Sequence, residues 1–358
     1  MTAAQPIDSL LIIKMSALGD VVMTLPALDA LRQRYPLARI DWLVESPSAG
    51  LLAGHPHLDN VLVSPRHSLS RLGKSGDLKR AGRLFRDFRR ELRSVEYDVV
   101  LDLQGLFKSG FQTFLARGRR KVGFDRTREK SYLFLNERMP AYDPDRHAAL
   151  RYLDAAVYLG AEVPNPLPEK YYTPPPEAGA EADSLLAFGQ APFVVVNPGA
   201  KWLTKRWPVE HWLSLASRLA GETDLKIVVT GGRDDQEAGR LITLAAGQAA
   251  VDLCGRTSLP ALAAILERAE AVVTADTGPM HLAAAVGARG LALFGPTRPW
   301  RTGPFGGHFE ILTPPLDCLG CLKRQCDRPC LETLVPEVVY ERLAALLSTA
   351  ESKETATC

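Results

Sequence analysis

The chain has 358 residues, of which 46% are apolar, and a formal net charge of +2, with a mean hydropathy of −0.05. That length suits two domains rather than one core, and no apolar run approaches the length of a membrane span. The apolar run just before Lys14 is only four residues long, 10–13, far short of a signal-peptide core, so a cytoplasmic location is expected.

The small net charge hides an asymmetry. Residues 64–130 hold 18 Lys or Arg against 8 Asp or Glu, which points to an anionic partner for the first half: a phosphate-bearing lipid, a membrane surface or a nucleic acid. No RNA- or DNA-binding motif is present, so nucleic acid is not expected.

Residues 10–14 read as a first buried parallel strand, and Ser16-Ala17-Leu18-Gly19-Asp20 as a loop at its carboxyl end. Either Asp20 caps a helix that kinks at Pro26, or Thr24 caps a new one. Strands are expected at 40–44 and 61–63. Over 77–95 the apolar residues Leu78, Ala81, Leu84, Phe85, Phe88, Leu92 and Val95 recur at three and four, an amphipathic helix. Its polar face carries Lys79, Arg80, Arg83, Arg86, Arg89, Arg90 and Arg93, either a solvated face or a lipid-facing one. A strand at 97–103 ends in Gln104-Gly105, a helix with Lys108 and Ser109 follows, and a strand–loop segment from Val122 carries Arg126, Arg128 and Glu129. A helix over 147–159 closes a first domain at residue 163.

Prolines, including Pro174-Pro175-Pro176, mark a linker placed at 164–190. A second α/β run, 191–335, has a strand at 193–196 leading into Asn197-Pro198-Gly199, a helix over 209–220 and a strand at 225–230. Gly231-Gly232-Arg233-Asp234-Asp235 then precedes a helix, and another helix covers 259–268. Residues 272–297, VVTADTGPMHLAAAVGARGLALFGPT, form a strand, the turn Asp276-Thr277-Gly278, a helix with Pro279 in its first turn and Gly287 as its stop, and a second strand. A helix N-terminus at the carboxyl end of a strand offers amide donors and a positive dipole end to a phosphate. The plainer alternative is an ordinary βαβ corner capped by Asp276. A C-terminal helix and tail are expected over 336–358. Two doubly wound α/β domains facing a cleft are the architecture expected.

Cys318, Cys321, Cys326 and Cys330 form C-x2-C-x4-C-x3-C. Clustered thiols in a cytosolic chain fit a small structural zinc loop or an iron–sulfur cluster; the alternative is a thiol-rich loop with no ligand.

Three segments, KMSALGDVVMTLPAL, NPGAKWLTKRWP and DTGPMHLAAA with its LFGPT, resemble motifs of the bacterial heptosyltransferases, glycosyltransferase family 9, and together cover most of the chain. The resemblance implies a GT-B fold, with acceptor binding in the first domain and nucleotide-sugar binding in the second. It implies an inverting transfer of heptose from ADP-heptose to the lipopolysaccharide inner core, with peripheral contact at the inner membrane and no cofactor required for the chemistry. It also lifts Asp20 from a helix cap to the general base and Lys205 from a solvated lysine to the partner of the leaving diphosphate. Thr277 and Gly278 would donate to the phosphates, Asp276 would orient the loop or bind sugar hydroxyls, and His281 would lie one turn in. Lys201 stands where relatives carry hydroxyl residues, Asp235 is the candidate ribose contact, and Lys108 and Arg128 would meet an anionic acceptor. Competing readings are a sugar-nucleotide epimerase of similar fold, a transferase using another donor, and a metal-dependent sensor without turnover.

Overall fold

The computed structural model describes residues 6–327 and 330–354. The chain divides into two compact units, Met1–Pro166 and Leu167–Cys358. The first contains β1 (Ser9–Ile13), α1 (Leu18–Val22), α2 (Leu25–Arg34), β2 (Arg39–Glu45), α3 (Ser46–Leu52), β3 (Asn60–Ser64), α4 (Arg66–Lys74) and α5 (Leu78–Leu92). After these come β4 (Glu96–Asp102), α6 (Phe107–Leu115), β5 (Arg117–Phe124), β6 (Glu137–Met139) and α7 (Ala148–Tyr158). Its sheet is parallel with the order β3-β2-β1-β4-β5-β6. Leu10 to Ile13 and Val99 to Leu101 are almost wholly buried, as expected of central strands covered on both faces.

The chain turn after β1 follows the second of the two arrangements expected. α1 ends at Val22, and Thr24 is the N-cap of α2, with Pro26 in that helix's first turn, where a missing N–H leaves no bond unmade. The Thr24 hydroxyl donates to the Asp20 carbonyl oxygen at 2.7 Å and makes no cap bond to α2. Helix α4 has no buried residue, and so presents no apolar stripe to a periodicity reading; it packs along α5.

The second unit contains α8 (Pro176–Leu186), β7 (Phe193–Asn197), α9 (Val209–Glu222), β8 (Lys226–Val229), α10 (Gln236–Ala246), β9 (Ala250–Asp252) and α11 (Leu259–Arg268). It continues through β10 (Ala271–Ala275), α12 (Gly278–Ala285), β11 (Arg289–Leu293), α13 (Pro299–Thr302), β12 (His308–Leu312) and α14 (Pro336–Glu354). The sheet order is β12-β11-β10-β7-β8-β9, again parallel. Counted within its own unit, this is the same order as the first sheet. The order reverses between β1 and β4 in one unit and between β7 and β10 in the other, and ligands of open α/β sheets bind outside the carboxyl ends of strands at such switch points.

One expectation changes here. The stretch expected as linker contains α8, whose Ala178, Ala182 and Leu186 are buried and which packs on α11. The C-terminal helix is α14, which packs on α9; residues 355–358 lie outside those described.

The second core is anchored by the tryptophan of the KRWP segment. Trp207 is 2% exposed, meets Trp212 edge-on at 4.9 Å between ring centroids, and donates its indole N–H to the Leu334 carbonyl at 2.7 Å. Trp207→Ala removes this ring from a packed site and is expected to cost about 3–5 kcal/mol, read as a lowered denaturant midpoint; a change within about 0.5 kcal/mol, the range of an ordinary surface substitution, would contradict the assignment.

Candidate active site

In the first unit the site grows from the end of β1. Lys14 follows that strand directly and is 2% exposed. A buried ammonium needs partners. Its Nζ donates to the Tyr152 hydroxyl at 2.6 Å and to the Leu103 carbonyl at 3.2 Å, and lies 3.6 Å from Asp20 Oδ1. The Tyr152 hydroxyl in turn donates to Asp20 Oδ1 at 2.8 Å. Burial, followed by the Asp20 charge, holds the Tyr152 phenol well above its ordinary pKa, so it keeps the proton it donates.

Asp20 Oδ2 accepts from the Ala17 amide at 3.3 Å, a bond back to the start of α1. Asp20 thus lies in the first turn of α1 rather than at its N-cap, which is Ala17: one carboxylate oxygen bonds back to the Ala17 amide and the other joins Tyr152 and Lys14. The side chain remains 37% exposed, within reach of an incoming hydroxyl. Gln104 Oε1 accepts from the Met15 and Ser16 amides, each at 3.0 Å, tying the Asp20 loop to the end of β4.

Beside it Asp102, the last residue of β4, is 1% exposed. It accepts from the amides of Gln104 and Gly105 and from the Ser109 hydroxyl at 3.0–3.1 Å. Burial nevertheless pushes its carboxyl up to about 6, against the opposing pull of those donors and of Lys14. The Lys14 ammonium is lowered by burial, with Asp20 and Asp102 opposing.

Lys108 sits at the edge of the same loop. Its Nζ donates to Ser16 Oγ at 2.6 Å and to Glu45 Oε1 at 2.8 Å; Glu45 is 4% exposed and also meets Arg66 at 3.4 Å and His67 at 3.2 Å. Burial would raise the Glu45 carboxyl, but these cations, Lys108 foremost, hold it below its ordinary value. Arg128 is exposed on the loop after β5, whose Glu129 side chain accepts from the Phe107 amide at the start of α6.

In the second unit the site grows from the end of β10, beside β7 at the switch point. Asp276 is 6% exposed; its Oδ2 meets Lys205 Nζ at 2.7 Å and accepts from the Thr297 hydroxyl. Lys205 is 17% exposed, and its ammonium also lies 4.7 Å from the centre of the Trp202 ring. Thr277 is the N-cap residue of α12 but makes no side-chain cap bond, and Gly278 and Pro279 form the first turn. The ammonium, the Thr297 hydroxyl and the helix N-terminus therefore gather around one carboxylate. His281 is buried one turn into the helix, and Lys201 is exposed.

Asp235 is occupied differently from a free ribose contact. Its Oδ2 accepts from the Gly232 amide at 2.9 Å and its Oδ1 lies 3.8 Å from Arg206, while Arg206 Nε donates to the Ala200 carbonyl at 2.8 Å. A Cβ at Gly199 would come 2.2 Å from Asp235 Oδ2, so the NPG turn and the Asp235 turn interlock.

The cysteine expectation is corrected. Among the described residues no group of three or more His, Cys, Asp or Glu side chains is arranged to hold a metal ion. Cys318, Cys321 and Cys326 are exposed, whereas Cys330 is buried, its sulfur packed so close to Gly295 that a Cβ there would come within 2.4 Å. The loop's structural work is done by backbone: the Gly320 and Leu322 amides donate to the Gly295 and Pro296 carbonyls at 3.0 and 2.7 Å, bracing the Gly-Pro-Thr turn that carries Thr297.

Sequence reading missed Lys14, Tyr152, Thr297 and Arg206 as site residues. A lysine directly after a buried strand was a usable signal for the first. Tyr152 lies 132 residues from Asp20 in a helix with no local mark, and could not be found that way.

The sequence model for "Glycosyltransferase family 9 (heptosyltransferase)" matches residues 85–332. Lipopolysaccharide heptosyltransferase 1 of Pseudomonas aeruginosa is 32% identical over 368 residues, covering 96% of this chain and 99% of that protein. The structure of E. coli heptosyltransferase WaaC with ADP is similar at a TM-score of 0.78 and 28% identity, covering 94% of this chain and 99% of that one. The same E. coli enzyme with ADP-2-deoxy-2-fluoro heptose superimposes at a TM-score of 0.75 and 27% identity, with the same coverage. Two Rossmann-like sheets with these neighbours define a glycosyltransferase of the GT-B fold. The chain belongs to glycosyltransferase family 9, the heptosyltransferases.

The buried Asp102 carboxyl gives a pH test. Burial pushes it up to about 6 in the folded protein from an ordinary 3.8, so its contribution to stability is fully present below the unfolded value and is lost as pH rises through the folded one. Asp102→Asn removes that titration. Unfolding free energies measured at pH 4.5 and 7.5 should show the variant improving relative to wild type by about 2 kcal/mol across the interval; a constant difference would show that Asp102 titrates normally.

Proposed function

We propose that this transferase moves a heptose from ADP-heptose to the inner core of lipopolysaccharide, with inversion at the anomeric carbon. The reading rests on family membership and on the relatives' donor and acceptor chemistry. The observation that carries it is Asp20: a half-exposed carboxylate at a sheet switch point, held by Tyr152 over a buried Lys14.

In this mechanism Asp20 takes the proton of the acceptor hydroxyl as that oxygen attacks the anomeric carbon. The bond from that carbon to the diphosphate oxygen breaks through an oxocarbenium-like transition state. The charge left on ADP falls to Lys205 and to the amides at the start of α12. Asp276, itself bonded by the Thr297 hydroxyl, holds the Lys205 ammonium before the donor arrives, so a diphosphate replaces one anionic partner with another rather than meeting a loose side chain. Lys201 and Asp235 serve the donor and Lys108 and Arg128 the acceptor. Tyr152 and Lys14 are positioning residues: they touch Asp20, not the reacting atoms.

Contact with the cytoplasmic face of the inner membrane is part of the same proposal. Among the described residues no helix is long and apolar enough to cross a membrane. The support for a peripheral contact is the α4–α5 pair: residues 66–93 hold ten Lys or Arg against three Asp or Glu, and Arg71, Lys79, Arg80 and Arg83 line a groove of about 930 Å³ between the helices.

The test is ADP release from ADP-heptose with and without a lipid A–Kdo acceptor. Asp20→Ala is expected to lower acceptor-dependent release at least about 10²-fold while leaving donor affinity intact. Full activity in that variant would leave Asp20 a helix cap. Lys205→Ala is expected to lower kcat by about 10²–10³-fold; an effect confined to KM would make Lys205 a binding residue only.

A further inference from the structure

Three helices of the first unit enclose an apolar groove that neither half-site uses. Leu69 of α4, Phe85 and Phe88 of α5, and Phe107 and Phe111 of α6 line a cavity of about 230 Å³. Its aromatic surface is open to solvent: Phe107 is 59% exposed and Phe111 36%. Phe107 is held there by an edge-on contact with Phe134 at 5.4 Å.

Two polar atoms in the groove's wall are unsatisfied. Ser64 Oγ and Gln112 Oε1 are buried and have no hydrogen-bond partner among the described residues, and Ser64 is 2% exposed. Such a group costs free energy unless something supplies its bond. The lining is chiefly apolar, with Ser64 and Gln112 among its polar members, and suits a chain of methylenes that ends in a polar group.

The surroundings choose the charge at that end. Arg66 and Lys108 stand in the lining, and the basic excess of residues 66–93 flanks it, so the polar end is anionic. Lys108 also ties the groove to the base, because its ammonium bonds Ser16 in the loop that carries Asp20. A molecule seated in the groove therefore has its polar end directed along Lys108 toward the acceptor hydroxyl's position. A flat membrane leaflet does not need an apolar groove beside the reacting group; a lipid-linked acceptor does.

We propose that the α4–α5–α6 groove binds an acyl chain of the lipid-linked acceptor, beside the sugar that Asp20 activates. This rests on the acceptor reading given above. The groove would make the lipid portion of the acceptor a specificity element, since a bound chain adds apolar burial that a free oligosaccharide cannot supply.

The test compares acylated with fully deacylated lipid A–Kdo acceptor, by direct binding and by ADP release, in wild type and in the double variant Phe107→Ser/Phe111→Ser. Wild type should bind the acylated acceptor more tightly. The double variant should lower the acylated-to-deacylated ratio of affinities, and of kcat/KM, about tenfold, the equivalent of one or two buried methylenes' worth of contact. Val157→Ser, an exposed apolar position on α7, should keep the wild-type ratio. An unchanged ratio in the double variant, or equal losses on both acceptors, overturns the groove assignment. Loss of binding to anionic vesicles without acceptor, at an unchanged ratio, assigns the groove to the bulk leaflet and overturns it too. Tighter binding of the acylated acceptor with no ADP release from wild type would sink the transfer reading while leaving the groove in place.

Discussion

A charge removed from water at the carboxyl end of a central strand must be paired, and both units are organised around that requirement. In the first, Lys14 leaves β1 into a place with almost no solvent, and Tyr152, Asp20 and Asp102 gather around it. In the second, Asp276 leaves β10 equally buried, and Lys205 and Thr297 gather around it. Breaking a buried pair is far more costly than never having built it. Such a cluster therefore fixes the loops that contribute to it, and those loops carry the candidate catalytic groups.

The matching strand orders explain why the clusters fall where they do. Helices on the two sides of a switch point leave a gap at the carboxyl ends of the strands between them. Loops from β1 and β4 meet there in one unit, as the Gln104 bonds to the Met15 and Ser16 amides show. Loops from β7 and β10 meet there in the other, as the Lys205–Asp276 pair shows. One topology used twice gives a carboxylate supported by a buried lysine in one unit and a lysine supported by a buried carboxylate in the other.

The two basic helices are built differently. α5 is long and basic and gives Phe88 and Leu92, with Phe85 against them, to the core of its own unit, whereas α4 buries nothing. Their apolar residues that remain near the surface converge with those of α6 on one groove, beside the lysine that reaches the base loop.

Much of this was legible in the residues. Strand–turn–helix punctuation is local: Pro279 in the first turn, Gly287 after the last, and apolar runs at β1, β7 and β10 mark where loops meet helix ends, and the family resemblance singles out Asp20 and Lys205 within those loops. The linker and the cysteines show where such reading stops. Proline density reads as irregular chain, yet α8 forms within it because Ala178, Ala182 and Leu186 find α11 to pack against. The C-x2-C spacing is compatible with a metal, yet Cys330 is drawn under Gly295 while the others face solvent.

The sequence alone thus determined the two parallel α/β units, the loops that hold the candidate base and the phosphate partner, and the basic first half, because each depends on neighbours within a few residues. Tertiary structure decided which partners close those loops: Tyr152 on Asp20 across 132 positions, Thr297 on Asp276 across 21, and Lys108 on Ser16 across 92. Pairing of buried polar groups is a demand of space rather than of chain order, and only the folded sheets bring those atoms within hydrogen-bonding distance.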